Sequence, residues 1–193
     1  MPATPSTMVP LGTPAPTFEL PDVRGGLVSL DALRDAKALL VMFLCNHCPF
    51  VKHIRAELAA LPRDYASMGL AAVGICSNDP EKYPQDNFDA MKAEALANGW
   101  TFPYLHDADQ AVAKAYRAAC TPDFFLYDRN RRLVYRGQLD ASRPSNGLPV
   151  TGADLRAAID ATLRGASVAA EQIPSIGCNI KWIPGREPAY ATS

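Results

Sequence analysis

No stretch of this chain approaches the roughly 18 consecutive apolar residues that a membrane-spanning helix needs. The opening Met1-Pro2-Ala3-Thr4-Pro5-Ser6-Thr7 has no basic residue. Both absences speak against an anchor or an export signal, so a cytoplasmic protein is expected. Runs of one charge sign are missing too. Nineteen basic residues stand against 20 acidic ones, which gives nucleic acid or an anionic membrane surface no footing as a partner. An even, regularly spaced cysteine set is also lacking. Five cysteines with one close pair do not suit a secreted disulfide framework, and fit a reducing compartment with one working dithiol. No internal repeat is present, and 193 residues are enough for one domain with a full core.

Residues 1–10, rich in Pro, Thr and Ser, predict a flexible N-terminus. Residues 11–164 carry the periodicity of the main domain. Thr17-Phe18-Glu19-Leu20 and Leu27-Val28-Ser29-Leu30 alternate around Gly25-Gly26, a short hairpin followed by a helical turn over 31–35. The run from Lys37 to Leu44 is apolar at consecutive positions, which predicts a central strand, as does Leu70 to Cys76. Val51, Ile54, Leu58 and Leu61 share one face of a helix that begins at Cys48. Further helices are predicted over 86–98, with Phe88, Met91, Ala95 and Leu96 inward, over 110–118, and from an N-cap at Thr151 to Leu163. Phe124 to Tyr127 and Leu133 to Gly137 flank a short polar turn and read as an antiparallel hairpin. Parallel strands first and antiparallel strands last predict an α/β domain with a mixed central sheet and helices on both faces. Residues 165–193 lack periodicity, but Ile173, Ile176, Ile180, Trp182 and Ile183 predict an extension packed on the domain.

The chemistry is concentrated at Cys45-Asn46-His47-Cys48, between the central strand and the helix. Two thiols three positions apart can close a disulfide across one helical turn, and the orphan amides of a helix start stabilise a thiolate. Cys-x-x-Cys is also half of many zinc sites, but no second Cys-x-x-Cys or His-x-x-x-His follows. Cys45 is expected to be the exposed attacking thiol and Cys48 the buried partner that resolves the mixed disulfide. His47 can lower the thiolate pKa and make the pair a better oxidant, or can be a solvated first-turn residue. Thr121-Pro122, just before an apolar strand, suits a cis peptide that presents main-chain groups to an extended thiol substrate. Cys178 and Cys120 are possible additional redox thiols; for Cys178 the alternatives are a metal ligand or a structural clasp with Ile180 and Trp182. Cys76 reads as a core thiol, His53 and His106 as surface histidines, and Tyr83, Pro84, Asp123, Asp128 and Arg136 as solvated loop residues.

From about Leu11 to Leu163 the sequence resembles the thioredoxin-like superfamily. Within it, the similarity is to the redoxin branch that groups alkyl hydroperoxide reductase and thiol-specific antioxidant domains. Cys45-Asn46-His47-Cys48-Pro49-Phe50-Val51 and Ile176-Gly177-Cys178-Asn179-Ile180-Lys181-Trp182 are similar to a group of bacterial thioredoxin family proteins. The resemblance implies a thioredoxin-like fold with Pro122 in cis against the dithiol. It departs from thioredoxins proper at Leu44, Asn46 and His47, where they carry Trp and Gly-Pro. On the peroxiredoxin pattern Cys48-Pro49 would match the peroxidatic cysteine and its proline, with Cys45 in place of a threonine and the usual arginine position falling near Pro122. The expected function is thiol-disulfide exchange by Cys45, Cys48 and His47, with Thr121 and Pro122 shaping the substrate groove. No organic cofactor is needed. The expected partners are protein or small-molecule thiols and disulfides, an electron donor and, for the alternative of a thiol peroxidase, peroxides. A second alternative is a metal-binding module built on Cys45, Cys48, His47 and Cys178.

Overall fold

In the computed structural model, which describes residues 3–191, the apolar run after Lys37 forms strand β4 (Ala38–Phe43), with every residue buried. Its neighbours along the chain are β1 (Ala3–Pro5), β2 (Glu19–Pro21), β3 (Leu27–Ser29), β5 (Leu70–Cys76), β6 (Tyr104–His106), β7 (Cys120–Thr121), β8 (Asp123–Tyr127), β9 (Leu133–Gly137) and β10 (Ile176–Asn179). The helices are α1 (Pro49–His53), α2 (Arg55–Ala66), α3 (Phe88–Ala97), α4 (Ala111–Tyr116) and α5 (Ala153–Leu163).

The main sheet has the order β6-β5-β4-β8-β9. β4, β5 and β6 are parallel, whereas β8 and β9 are antiparallel additions, as the sequence pattern predicts. Side chains alternate across β4 and separate two cores. Leu40 and Met42 join Leu58, Leu61, Met91, Leu155 and Ile159 from α2, α3 and α5. Leu39, Val41 and Phe43 meet α4, the β2–β3 hairpin and the C-terminal Ile180 and Trp182.

Several local expectations are corrected. The predicted helix after Cys48 is interrupted at Ile54, which separates α1 from α2. α3 begins at Phe88 because Asn87 caps it, its Oδ1 accepting from the Ala90 amide at 2.9 Å, which leaves Asp86 outside the helix. Leu96 is 83% exposed; about 100° of helical rotation separates it from the inward Ala95. α4 stops at Tyr116, where Arg117 turns left-handed at φ 54°. α5 is not capped by Thr151. Asp140 Oδ2 instead accepts from the Thr151 and Gly152 amides, both at 2.7 Å.

The largest correction concerns the predicted flexible N-terminus. Ala3–Pro5 forms β1, paired antiparallel with β10, and Ser6 N–H donates to Ser175 O at 2.8 Å. β10 in turn pairs with β7, which makes a second sheet of order β1-β10-β7. A strand whose two edges are both paired leaves no orphan backbone groups, a driving force that Pro/Thr/Ser composition does not reveal. In the extension Ile180 and Trp182 are buried, while Ile173 is 60% exposed. Among the described residues no helix is long and apolar enough to cross a membrane.

Candidate active site

β4 delivers the chain into the core, and Leu44 through Asn46 remain buried after the strand ends. Cys48, not Cys45, is the N-cap residue of α1, with extended backbone (φ −65°, ψ 125°) and Pro49 in the first turn. Proline there costs nothing, since its missing N–H would have had no helical partner. Placed so, the Cys48 sulfur receives backbone N–H groups from Val51 and from Cys178 on β10.

Three sulfurs and a threonine meet at this point. Cys45 Sγ lies 3.2 Å from Thr121 Oγ1, Cys48 Sγ 3.2 Å from Thr121 O, and Cys48 Sγ 2.9 Å from Cys178 Sγ. All are reduced thiols. The register Cys178↔Thr121 sets two of these contacts, because the β10–β7 pairing fixes which residue of the extension faces the dithiol.

Charge falls on one sulfur. The Cys45 S–H bond to Cys48 lowers the Cys48 pKa; burial opposes it, and the Cys178 S–H and the two backbone amides add to it, bringing Cys48 to about 5. The Thr121 carbonyl accepts only from the neutral thiol form, so it too opposes ionisation, against four donors. Cys45 is pushed well up by its hydrogen bond to Cys48, by burial and by the Asp86 carboxylate. Burial and the bond to Cys48 raise Cys178 to about 12. The sulfurs form a coupled set in which Cys48 carries the charge and its neighbours the protons.

The expected exposure of Cys45 is not found. Cys45 is 1% exposed and Cys48 fully buried, so Cys45 is not an exposed thiol. The helix start favours ionisation of the residue that caps it, which is Cys48. Because the folded pKa lies below the ordinary thiol value of 9.0, ionised Cys48 contributes stability that is fully present above about pH 9 and lost as pH falls through about 5. Thiolate ultraviolet absorbance, titrated downward from neutral pH, is expected to disappear around pH 5 in the wild type and to be missing at neutral pH from Cys48→Ser. A midpoint near 9 would contradict the assignment.

His47 does not reach the thiolate as a donor. Its Nδ1 lies 2.6 Å from Asp86 Oδ2, and its ring stacks on Tyr83 at a centroid distance of 5.3 Å with planes 7° apart. Nε2 is buried with no hydrogen-bond partner among the described residues. Asp86, wholly buried, also accepts from the Asn46 amide at 2.8 Å and Asn78 Nδ2 at 2.7 Å. Burial alone would raise the Asp86 pKa; the bonds from His47, Asn78 and Asn46 reverse this and hold the carboxyl below its usual range. Asn46 is itself fixed by Tyr104, whose hydroxyl donates to Oδ1 at 3.0 Å. The Cys45–Cys48 turn is thus pinned from below by a carboxylate and a phenol.

Thr121 and Pro122 are joined by a cis peptide, as the resemblance implies, but both are buried. The Thr121 backbone, expected to receive a substrate strand, receives β10, while Pro122 lines a small cavity with Phe50, His53, Ile54 and Ile176. Cys120 stays out of the sulfur cluster, its Sγ 3.5 Å from Pro122 O and its pKa well raised by burial. Cys76 is fully buried and raised by burial and Asp86, in keeping with a core thiol. The expected metal set of Cys45, Cys48, His47 and Cys178 does not converge. Ligand atoms within 4.8 Å of one another belong to Cys45, His47 and Asp86, and Asp86 already serves three donors.

Sequence reading missed Asp86, Asn78 and Tyr104. Asp123, expected as a solvated loop residue, is fully buried in β8, and burial pushes its carboxyl up to about 7. Its place directly before Phe124-Phe125-Leu126 was the available signal. His53 is held by Ser142 Oγ at 2.7 Å, and burial lowers the pKa of half-buried His106, so neither is a free surface histidine.

With this geometry in view, the relatives are informative. A protein of Sinorhizobium meliloti 1021 with a solved crystal structure is 58% identical, with a TM-score of 0.93 over 94% of this chain and 100% of that one. A Mycobacterium tuberculosis protein, "Putative peroxiredoxin Rv2521", is 30% identical over 60% of this chain and 68% of its own length. The thiol:disulfide interchange protein, thioredoxin family protein, of Chlorobium tepidum TLS is 20% identical with a TM-score of 0.61, covering 79% of this chain and 97% of that one, a likeness of fold. The AhpC/TSA family model matches residues 11–136. The chain therefore belongs to the AhpC/TSA family, with a thioredoxin-like fold and an oxidoreductase chemistry of thiols.

Proposed function

We propose that the protein is a thiol-disulfide oxidoreductase in which Cys45 and Cys48 cycle between dithiol and disulfide, with Cys48 as the nucleophile. The observation that carries this reading is the placement of Cys48 as the cap of α1, with Cys178 Sγ at 2.9 Å and Cys45 three residues earlier beside Thr121, an arrangement in which the Cys45 hydrogen bond lowers the Cys48 pKa. Local opening of the buried start of α1 admits a substrate disulfide, and Cys48 thiolate attacks one of its sulfurs and expels the other as a thiolate. Cys45 then attacks Cys48 Sγ, releasing the second substrate thiolate, which takes the proton from Cys45. The protein gains a Cys45–Cys48 disulfide and the substrate becomes two thiols. A thiolate with a pKa near 5 is a weak nucleophile but a very good leaving group, so exchange at Cys48 is reversible, and the stable reduced form favours the same steps run backwards, which oxidise a substrate dithiol. A reducing cytoplasm with a thiol electron donor is the setting this reading expects.

The test is catalysed reduction of insulin disulfides by dithiothreitol. Wild type is expected to accelerate the reaction, and Cys45→Ser to lose at least about tenfold, since the thiol that closes the Cys45–Cys48 disulfide is gone. Equal, negligible rates for both proteins would overturn the proposal. A thiol peroxidase is the second reading, favoured by the low pKa at Cys48 followed by Pro49. Hydrogen peroxide with dimedone distinguishes it: a sulfenate adduct on Cys48 at low peroxide supports the peroxidase, and its absence supports disulfide exchange alone.

A further inference from the structure

We propose that Cys178 is a third redox thiol, through which the buried Cys45–Cys48 pair exchanges electrons with an external dithiol. This rests on the dithiol reading above and extends it to the route by which the pair is recharged. The observation behind it is the position of β10. Antiparallel pairing to Thr121 directly beside the dithiol is the backbone arrangement expected of an extended substrate, and this chain fills it with its own strand. At the position opposite Thr121 that strand carries a cysteine, whose Sγ lies 2.9 Å from Cys48 Sγ.

Accessibility points the same way. Cys48 is fully buried, Cys45 1% exposed and Cys178 7% exposed, so Cys178 is the sulfur nearest solvent. In the oxidised protein Cys178, giving up its proton, attacks Cys48 Sγ. A Cys48–Cys178 bond forms, the Cys45–Cys48 bond breaks, and Cys45 leaves as a thiolate and takes the proton. The redox state of the protein is unchanged; the disulfide has moved outward. A donor thiolate then attacks Cys178 Sγ and expels Cys48 as a thiolate. The second thiol of the donor attacks its own sulfur in the mixed disulfide, which frees Cys178 to take up the released proton. The donor leaves as a disulfide, and the protein has gained two electrons. The direction of the second attack follows from the leaving groups, since expelling Cys48, with a pKa of about 5, is far easier than expelling Cys178, near 12.

Neither Cys76 nor Cys120 can serve in this way. Cys76 is fully buried on β5, and Cys120 precedes Thr121 on β7, so its side chain points to the other side of that strand.

Three proteins test the relay: wild type, Cys45→Ser and Cys178→Ser, each oxidised with diamide, alkylated and mapped by mass spectrometry. Cys45→Ser is expected to form an internal Cys48–Cys178 disulfide, and pulsed oxidation of wild type to show the same bond beside Cys45–Cys48. Oxidised Cys178→Ser is expected to hold Cys45–Cys48 but to be reduced by dithiothreitol at least tenfold more slowly than wild type. The relay is overturned if no Cys48–Cys178 bond forms in wild type or in Cys45→Ser, or if Cys178→Ser is reduced at the wild-type rate. Failure of the underlying dithiol reading looks different, as no Cys45–Cys48 disulfide would then form in wild type or in Cys178→Ser. The wild-type measurement needs no variant to fold.

Discussion

Cys48→Ser is expected to reduce disulfide exchange by a factor on the order of 10³ or more, the scale set by removing a catalytic nucleophile. Cys48 is the sulfur that both Cys45 and Cys178 contact, so its loss forbids either internal disulfide. A serine hydroxyl cannot ionise at this position, and the remaining thiols are those whose pKa values are raised. A serine of similar size keeps the core filled, so the protein should still fold, with a melting temperature lowered by the stability that ionised Cys48 supplied, and the main loss should appear in turnover. The comparison is the initial rate of insulin reduction by dithiothreitol, measured beside Cys45→Ser. A Cys48→Ser protein retaining a tenth of wild-type activity would move the nucleophile elsewhere.

Gly177→Ala is expected to cost about 3 kcal/mol of stability, the upper end of overpacking effects. A Cβ at Gly177 would lie 2.0 Å from Thr121 O, 2.5 Å from Thr121 C and 3.0 Å from Pro122 N. These are main-chain atoms beside the dithiol, so no rotamer change relieves the clash and β10 must retreat from β7. Gly177 is paired with Thr4 on the other side, so the displacement also strains β1. At roughly 2–4 °C per kcal/mol for a domain of this size, the melting temperature should fall by about 6–12 °C. Calorimetry measures that shift, and disulfide mapping should find less Cys48–Cys178 bond for the same oxidant. An unchanged melting temperature would mean that β10 is not held against β7 in solution.

Sequence reading captured what is periodic. The consecutive apolar residues of β4 and β5, the 3.6-residue spacing around Val51, Leu58 and Leu61, and the polar turn between β8 and β9 are local patterns, and they suffice for a mixed sheet with parallel strands first and antiparallel strands last. The site was legible where chemistry and periodicity meet, at the strand-to-helix junction of Cys45 and Cys48, and in Thr121-Pro122. What escaped was set by distant partners. Asp86 reads as a helix residue until Asn87 takes the cap and Asn46, His47 and Asn78 converge on the carboxylate. Which cysteine ionises depends on which one caps α1, a difference of three residues that a hydrophobic pattern does not resolve. The Pro- and Thr-containing start of the chain shows no strand signal because β1 draws its order from β10, more than 170 positions away.

The sulfur cluster joins residues that the ribosome makes far apart in time. Cys48 and Cys178 are separated by 130 positions, and β10 completes the small sheet that begins with Ala3. Contacts of such long sequence separation form late in folding, after the entropy of closing the intervening chain has been overcome. During synthesis, then, Cys45 and Cys48 pass through a long interval with no Cys178 beside them. The three-sulfur relay proposed above is therefore out of reach of a half-made chain and available only to the completed fold.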